Sequence, residues 1–318
     1  MKRTLINWID LSLRKGYVYA HLLRRRPDFE EVSLGGEYPD KQFLVIRRFA
    51  PMNAGLLSFF FTTIGWIRYA LQNDMIPVVD MQTYLNQMLD LWEVGRKNAW
   101  EYYFEQPCGF SLPDIKRAKN VIIVNKIVSP VMVGMIDMLE SPNVCAEVRA
   151  LVRQYVRIKA GALAAFYNPE LERALSNPDC RVVGVRARGT DYSVVKPQGH
   201  CIQPTAEHFI DYIRTLPPEY MIYLVSEDVN ILKPMLQTFG ERIILSKQSL
   251  PEYKGGWMPN CRTLNCSRRE EGAGYLKAIY DLSRCDVLIG GGNNGTAAAY
   301  AFSDGFEKFH LFELGKYD

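Results

Sequence analysis

The chain has 318 residues, 48% of them hydrophobic, and is long enough to bury a sizeable core in two domains of ordinary size. A net charge of +3 with scattered basic residues lacks the electrostatic footprint of a nucleic-acid binder, so no nucleic-acid partner is expected. Seven cysteines without a CxxC pair and four histidines without ligand spacing argue against a disulfide framework and a structural metal, and for reduced thiols in a cytoplasmic setting.

The first 40 residues read as a helical extension. The mixed segment Leu5 to Leu23 lacks the apolar core of a secretory signal, and Arg24-Arg25-Arg26 follows it. Such a basic amphipathic start can touch an anionic membrane surface, or can simply be the charged face of an ordinary helix. Ala54 to Ile67 is the longest apolar stretch. At about half a bilayer crossing, and interrupted by Ser and Thr, it predicts no transmembrane anchor.

Residues 42–47 read as a buried strand, followed by a loop at 51–55, a helix to about Asn73 and a strand over 76–80. A further strand over 121–125 follows the turn chemistry around Pro113. This order predicts a first parallel α/β domain over 41–176. Within it, the segment 98–107 is dense in aromatic and acidic residues, a composition that can stack on sugar rings but more often forms core or interface. Residues 144–175 carry apolar positions at helical spacing and read as one long connecting helix.

A second doubly wound series is expected over 177–318. Its strands fall at 181–185, 221–226, 242–245, 287–290 and 310–313, with helices near 205–216, 229–239 and 272–283. The fold class is therefore α/β, with two Rossmann-like domains.

Three strand ends in this second half carry chemistry. After the first comes Gly184-Val185-Arg186-Ala187-Arg188-Gly189-Thr190-Asp191-Tyr192, where two guanidinium forks beside a glycine suit a diphosphate. The next strand ends in Ser226-Glu227-Asp228, placing Asp228 either to meet a ligand beyond the carboxyl end of the sheet or to cap the following helix. The last is the loop Gly290-Gly291-Gly292-Asn293-Asn294-Gly295-Thr296, whose backbone N–H groups, Asn294 and Thr296 can cradle phosphate at a helix start. It matches neither GxGxxG nor GxxxxGK[ST].

In this order and spacing, the three segments resemble the donor domain of the GT-B fucosyltransferase superfamily. Arg188 falls on the central arginine of its first motif and Asp191 on the aspartate. Arg186 stands at the usual histidine position and Gly189 where a second arginine often sits. Ser226-Glu227-Asp228 resembles the second motif, and Leu282 to Asp286 with Ile289-Gly290 and Asn293-Asn294 the third. Asn53-Ala54-Gly55-Leu56-Leu57-Ser58 resembles the Gly-x-Gly-Asn loop of those enzymes, and the segment 98–107 a stretch in uncharacterised bacterial glycosyltransferase-like proteins.

The resemblance implies two Rossmann-like domains facing across a cleft and an inverting transfer of fucose from GDP-fucose to a glycan hydroxyl. Arg188, Asp191 and Glu101 would be catalytic. Arg186, Arg188, Ser226, Asp228, Gly292, Asn293, Asn294, Gly295 and Thr296 would hold the donor. Asn53, Gly55, Ser58, Trp100 and Tyr102 would line the acceptor side, with Glu105 and Asp80 as further candidates for the base. No DxD pair is evident, so metal independence is expected and no cofactor. The implied partners are a nucleotide sugar and a glycan or lipid-linked glycan, with a cytoplasmic location that extends to the inner membrane face. Two alternatives stay open: a GT-B protein that binds without turnover, and a transferase for another deoxysugar.

Overall fold

The computed structural model describes residues 12–17, 27–48, 54–247 and 267–318. Asn53 and most of the basic N-terminal segment lie outside them. The chain divides into two units. One comprises Met1–Val133, Ala150–Ala162 and Leu264–Gly272, the other Gly134–Arg149, Leu163–Thr263 and Ala273–Asp318. This departs from the expected single boundary at 176, because each unit is built from more than one stretch of chain.

The N-terminal unit holds a four-stranded sheet in the order β1-β4-β2-β3, from β1 (Phe29–Val32), β2 (Glu37–Arg47), β3 (Ile76–Asp80) and β4 (Ala118–Val124). β2 runs parallel to β3 and β4, and β1 is antiparallel to β4. Residues 29–40 therefore belong to this sheet and not to a helical extension. Val32 packs on the cluster of Phe43, Val45, Val78, Val121 and Ile123, and Phe29 meets Trp66 edge to face at 5.8 Å, so the alternation of this short segment outweighs helical patterning.

Helix α1 (Leu56–Gln72) accounts for the long apolar stretch. Leu56, Leu57, Phe59, Phe60, Ile64, Trp66 and Ile67 are all buried in it, and a Cβ on Gly65 would crowd the Met132 backbone. A helix covered on most sides reads as continuously hydrophobic. No helix among the described residues is long and apolar enough to cross a membrane.

The expected single helix over 144–175 is broken into α2 (Pro142–Tyr155), a short turn at Ala160–Leu163 and α3 (Pro169–Leu175). Two causes are visible. Residues 157–159 are drawn into extended pairing with the aromatic segment, through Glu105 N to Arg157 O and Lys159 N to Tyr103 O at 2.9 Å each. Asn168 then caps a fresh helix whose first residue is Pro169, where the missing N–H costs nothing.

The second unit is an all-parallel sheet in the order β7-β6-β5-β8-β9, from β5 (Val182–Ala187), β6 (Met221–Ser226), β7 (Ile243–Leu245), β8 (Val287–Gly291) and β9 (Lys308–Phe312). Read in chain order this is 3-2-1-4-5, with the reversal between β5 and β8. Around it lie helices α4 (Thr190–Val195), α5 (Ala206–Ile213), α6 (Val229–Phe239), α7 (Arg268–Leu282), of which this unit holds the part from Ala273 on, and α8 (Asn294–Phe302). Val183, Val185 and Ala187 face a core shared with Phe209, Ile213 and Met235 of α5 and α6. Gly184 faces the other way, so close to Leu282 and Cys285 that a Cβ would press on both. Ligands of open α/β sheets bind beyond the strand ends at such a reversal, so the carboxyl ends of β5 and β8 mark the crevice.

Candidate functional site

Strand alternation decides the fate of the two arginines. Arg186 lies on the Gly184 face of β5, beneath α7, and is only 1% exposed. Its fork is occupied: Nη1 donates to Glu227 Oε2 at 2.8 Å and Nη2 to Oε1 at 3.3 Å, with Val225 O a further acceptor. The Tyr275 ring lies 5.8 Å from the guanidinium, and Nε has no hydrogen-bond partner. Arg186 is thus an internal ion-pair partner, a correction to its expected role as an open donor ligand. Burial alone would push the Glu227 carboxyl up, but the charge and hydrogen bonds of Arg186, with the charge of Arg188, hold it below the usual range.

Glu227 lies inside the Ser226-Glu227-Asp228 segment, but the sequence assigns it no role of its own. The sheet register that aligns Arg186 with Val225 brings the acid within reach two residues further on, and this pairing has no signature along the chain.

Arg188 stands just past the end of β5, half-buried, with its guanidinium carbon 4.5 Å from the Tyr192 ring centroid. Tyr192 in turn shares a hydrogen bond of 3.2 Å with His200 Nδ1. Asp191 is the second residue of α4, and the structure does not describe its side chain.

Between them, Gly189 explains its own identity. A Cβ there would overlap the Asp228 carboxylate, so no side chain, and no second arginine, fits while Asp228 stays in place. Gly189→Ala is expected to cost about 1–3 kcal/mol, the usual range for forced overpacking. Thermal denaturation checks it, and a wild-type midpoint would contradict the contact.

Ser226 and Asp228 turn their oxygens on the backbone. Ser226 Oγ accepts from Asp228 N at 3.1 Å, and Asp228 Oδ1 accepts from Asn230 N at 2.9 Å, capping α6. Of the two readings weighed for Asp228, the cap is the one in place.

The glycine loop after β8 is likewise turned inward. Asn293, 1% exposed, accepts from Gly295 N at 2.9 Å and Thr296 N at 3.1 Å, and donates to Gln203 Oε1 and Gly291 O. Gln203 Nε2 closes the network on Gly292 O at 3.1 Å. Asn293 therefore takes up two of the helix-start N–H groups expected to cradle phosphate. A Cβ on Gly291 would strike Pro204 and Gln203, and one on Gly295 would strike Arg186 Nε. The glycines make room for the protein's own packing. Thr296 is fully buried with an unpartnered hydroxyl, whereas Asn294, the first residue of α8, is half-buried. Gln203 was not anticipated either, as a lone amide between elements carries no motif.

In the other unit, the acceptor-side candidates separate. Trp100 is core: its Nε1 donates to Glu105 O at 2.9 Å and its ring lies 4.5 Å from Phe104. Of the two readings of this segment, Trp100 takes the core one. Tyr102 donates to Glu93 Oε1 at 2.8 Å beneath Arg269, and burial and the Glu93 contact raise its pKa, keeping the phenol protonated. Glu101 Oε1 accepts from Asn98 Nδ2 at 3.1 Å and Gln106 Nε2 at 2.8 Å, two amides that also donate to Val79 O at the end of β3. It braces a strand end.

Asp80 is equally committed, accepting from Arg47 Nε at 2.8 Å, Thr83 Oγ1 at 2.7 Å and the Gln82 and Thr83 amides. Glu105 is exposed. Gly55 is the N-cap of α1, and Ser58 bonds Arg48 through both its carbonyl and its hydroxyl.

No family model matches the chain, and neither does any curated protein. Among solved structures, the chain is similar to the fucosyltransferase NodZ from Bradyrhizobium, at 13% identity over 81% of this chain and 92% of that one, with a TM-score of 0.46. A NodZ alpha-1,6-fucosyltransferase crystal soaked with GDP-fucose gives 13% identity, 83% and 93% coverage and a TM-score of 0.48. A mutant of Arabidopsis thaliana FUT1 in complex with GDP gives 13% identity, 86% and 71% coverage and a TM-score of 0.49.

Proposed function

We propose that this chain is a glycosyltransferase whose donor is a nucleotide-diphosphate sugar, GDP-fucose first among them, and whose acceptor is a hydroxyl of a glycan or lipid-linked glycan. The observation that carries the reading is the position of Arg188 at the carboxyl end of β5, beside the reversal of strand order, with the glycine loop leaving the neighbouring strand β8. Negative charge grows on the departing β-phosphate. A planar guanidinium held ready there, steadied by the Tyr192 ring 4.5 Å away, lowers that barrier by a few kcal/mol in a water-poor crevice. Asn294 at the start of α8 supplies a second polar group at the same edge. Fucose as the sugar, inversion and metal independence rest on the resemblance of the three segments to the fucosyltransferase motifs.

A second reading, a protein that binds the nucleotide without turnover, draws support from Glu101 and Asp80. Both carboxylates are held by two or more internal donors and neither is poised as a base toward an acceptor.

Calorimetric titration with GDP, GDP-fucose, UDP and NAD, with and without EDTA, tests the donor. Selective GDP binding that survives EDTA is the expected result. Preference for UDP or NAD would overturn the donor assignment, and binding of GDP-fucose without consumption in the presence of glycan acceptors would favour the second reading.

A further inference from the structure

Tyr192, in the first turn of α4, covers one flat face of the Arg188 guanidinium, with 4.5 Å between the guanidinium carbon and the ring centroid. The ring is buried, and its hydroxyl shares the 3.2 Å hydrogen bond with His200 Nδ1 while the two rings meet edge to face at 5.5 Å. Cation, ring and imidazole stand in series. The ring backs the guanidinium, and the imidazole holds the far end of the ring.

The backbone is shaped to bring His200 back to this place. α4 ends at Lys196 with φ +45°, and Gly199 follows at φ +74°, left-handed conformations that turn the chain back towards Tyr192. The returning segment is pinned along its length. Gly199 N donates to Tyr317 O, Tyr317 N to His200 O and Ile202 N to Gly315 O, each at 2.9 Å, and Cys201 bridges Lys316 in antiparallel register. At its other end, Gln203 holds Gly292 O and Asn293 of the glycine loop. One short segment, 199–203, thus supports both elements at the crevice: the arginine side through His200, the glycine loop through Gln203. His200 is exposed, so its side chain can be exchanged without opening a cavity in the core.

We infer that Tyr192 and His200 are positioning residues for Arg188: the hydroxyl–imidazole bond fixes the tilt of the Tyr192 ring, and the ring fixes the plane in which the guanidinium meets the donor diphosphate. The inference rests on the assignment of Arg188 to that diphosphate. A planar fork held in place before binding loses less freedom on meeting phosphate oxygens than an unsupported one.

The test has two readouts on the full chain. In calorimetric titration, GDP affinity is expected to fall about three- to tenfold in Tyr192→Phe, which keeps the ring and loses only the hydroxyl, and equally in His200→Ala, the scale of one hydrogen bond. The double variant should be no weaker than either single one, because both remove the same bond. His200→Asn, whose amide reaches the Nδ1 position, should restore most of the affinity, with melting points close to wild type throughout. The second readout needs no ligand. In chain carrying isotopically labelled arginine, the magnetic resonance signal of the buried Arg188 Nε–H bears the ring-current shift of Tyr192, and it should move in Tyr192→Phe and His200→Ala but stay in place in His200→Asn. An unchanged GDP affinity or an unchanged Arg188 signal in both loss variants, additive losses in the double variant, or no recovery in His200→Asn would overturn the inference. A wild-type chain that binds no GDP, or binds it no better than Arg188→Met does, sinks the donor reading instead, and the Arg188 signal alone then decides whether ring and imidazole fix the side chain.

Discussion

Glu227→Ala is expected to destabilise the second unit by about 3–5 kcal/mol, the usual cost of leaving one member of a buried ion pair uncompensated. Arg186 would remain inside the sheet–helix interface at 1% exposure, its fork facing a void where two carboxylate oxygens had been. Urea denaturation followed by circular dichroism measures the loss. A control separates charge from packing: in the double variant Arg186→Met, Glu227→Leu, apolar side chains fill the space with no orphaned cation, and much of the stability should return.

The pair also gives acid sensitivity a sign. The folded-state pKa of Glu227 is depressed, so its contribution is fully present above the ordinary carboxylate pKa and is lost as pH falls through the lowered value. Stability should therefore decline on the acid side, and Glu227→Ala should flatten that part of the profile. A midpoint within experimental error of wild type for Glu227→Ala would mean that the pair does not hold this face together.

Arg188→Lys is the second large expectation, and it concerns function. Lysine keeps the charge but loses the planar fork and the flat face presented to Tyr192. GDP affinity or donor turnover is expected to fall by about an order of magnitude or more, the scale of one strong charge-assisted contact. Fold retention is checked by circular dichroism, since Arg188 is only half-buried and its replacement should leave the melting point nearly unchanged. Wild-type GDP affinity and turnover in a folded Arg188→Lys chain would remove this residue from the site. The contrast with Glu227→Ala is informative, because one change acts on ligand binding and the other on the scaffold that aims the same strand.

The second sheet was legible in the sequence because its strands are buried on both faces, giving near-continuous apolar runs such as 221–226 and 287–290 bounded by turn residues. β1 was missed because four residues with two adjacent acids look like any solvated segment until β4 supplies a partner. At the site, strand ends and glycines were visible as a pattern, but which way each polar side chain turns was not. Arg186 and Arg188 are equivalent in text, yet the position of α7 buries one of them, while the other stands half-buried just past the strand end. Asn293 and Asp228 were correctly seen at helix starts. Their commitment to backbone amides depends on cap geometry that a sequence shows only as a residue type. The ring of Trp100 and the carboxylate of Glu101 show the same thing: composition names a chemistry, and packing decides how much of it is spent internally.

The order β1-β4-β2-β3 has a consequence for the nascent chain. β1 and β2 are neighbours in sequence but not in the sheet, and the strand that joins them is made last. At about 5–20 residues per second, synthesis leaves both of their inner edges without a partner for several seconds. During that interval the apolar α1 helix is also waiting for its cover near Met132. Unpaired edges beside an exposed greasy helix are an invitation to intermolecular strand addition. Recombinant yield of this chain should therefore depend on translation speed and on holding chaperones more than the finished fold would suggest.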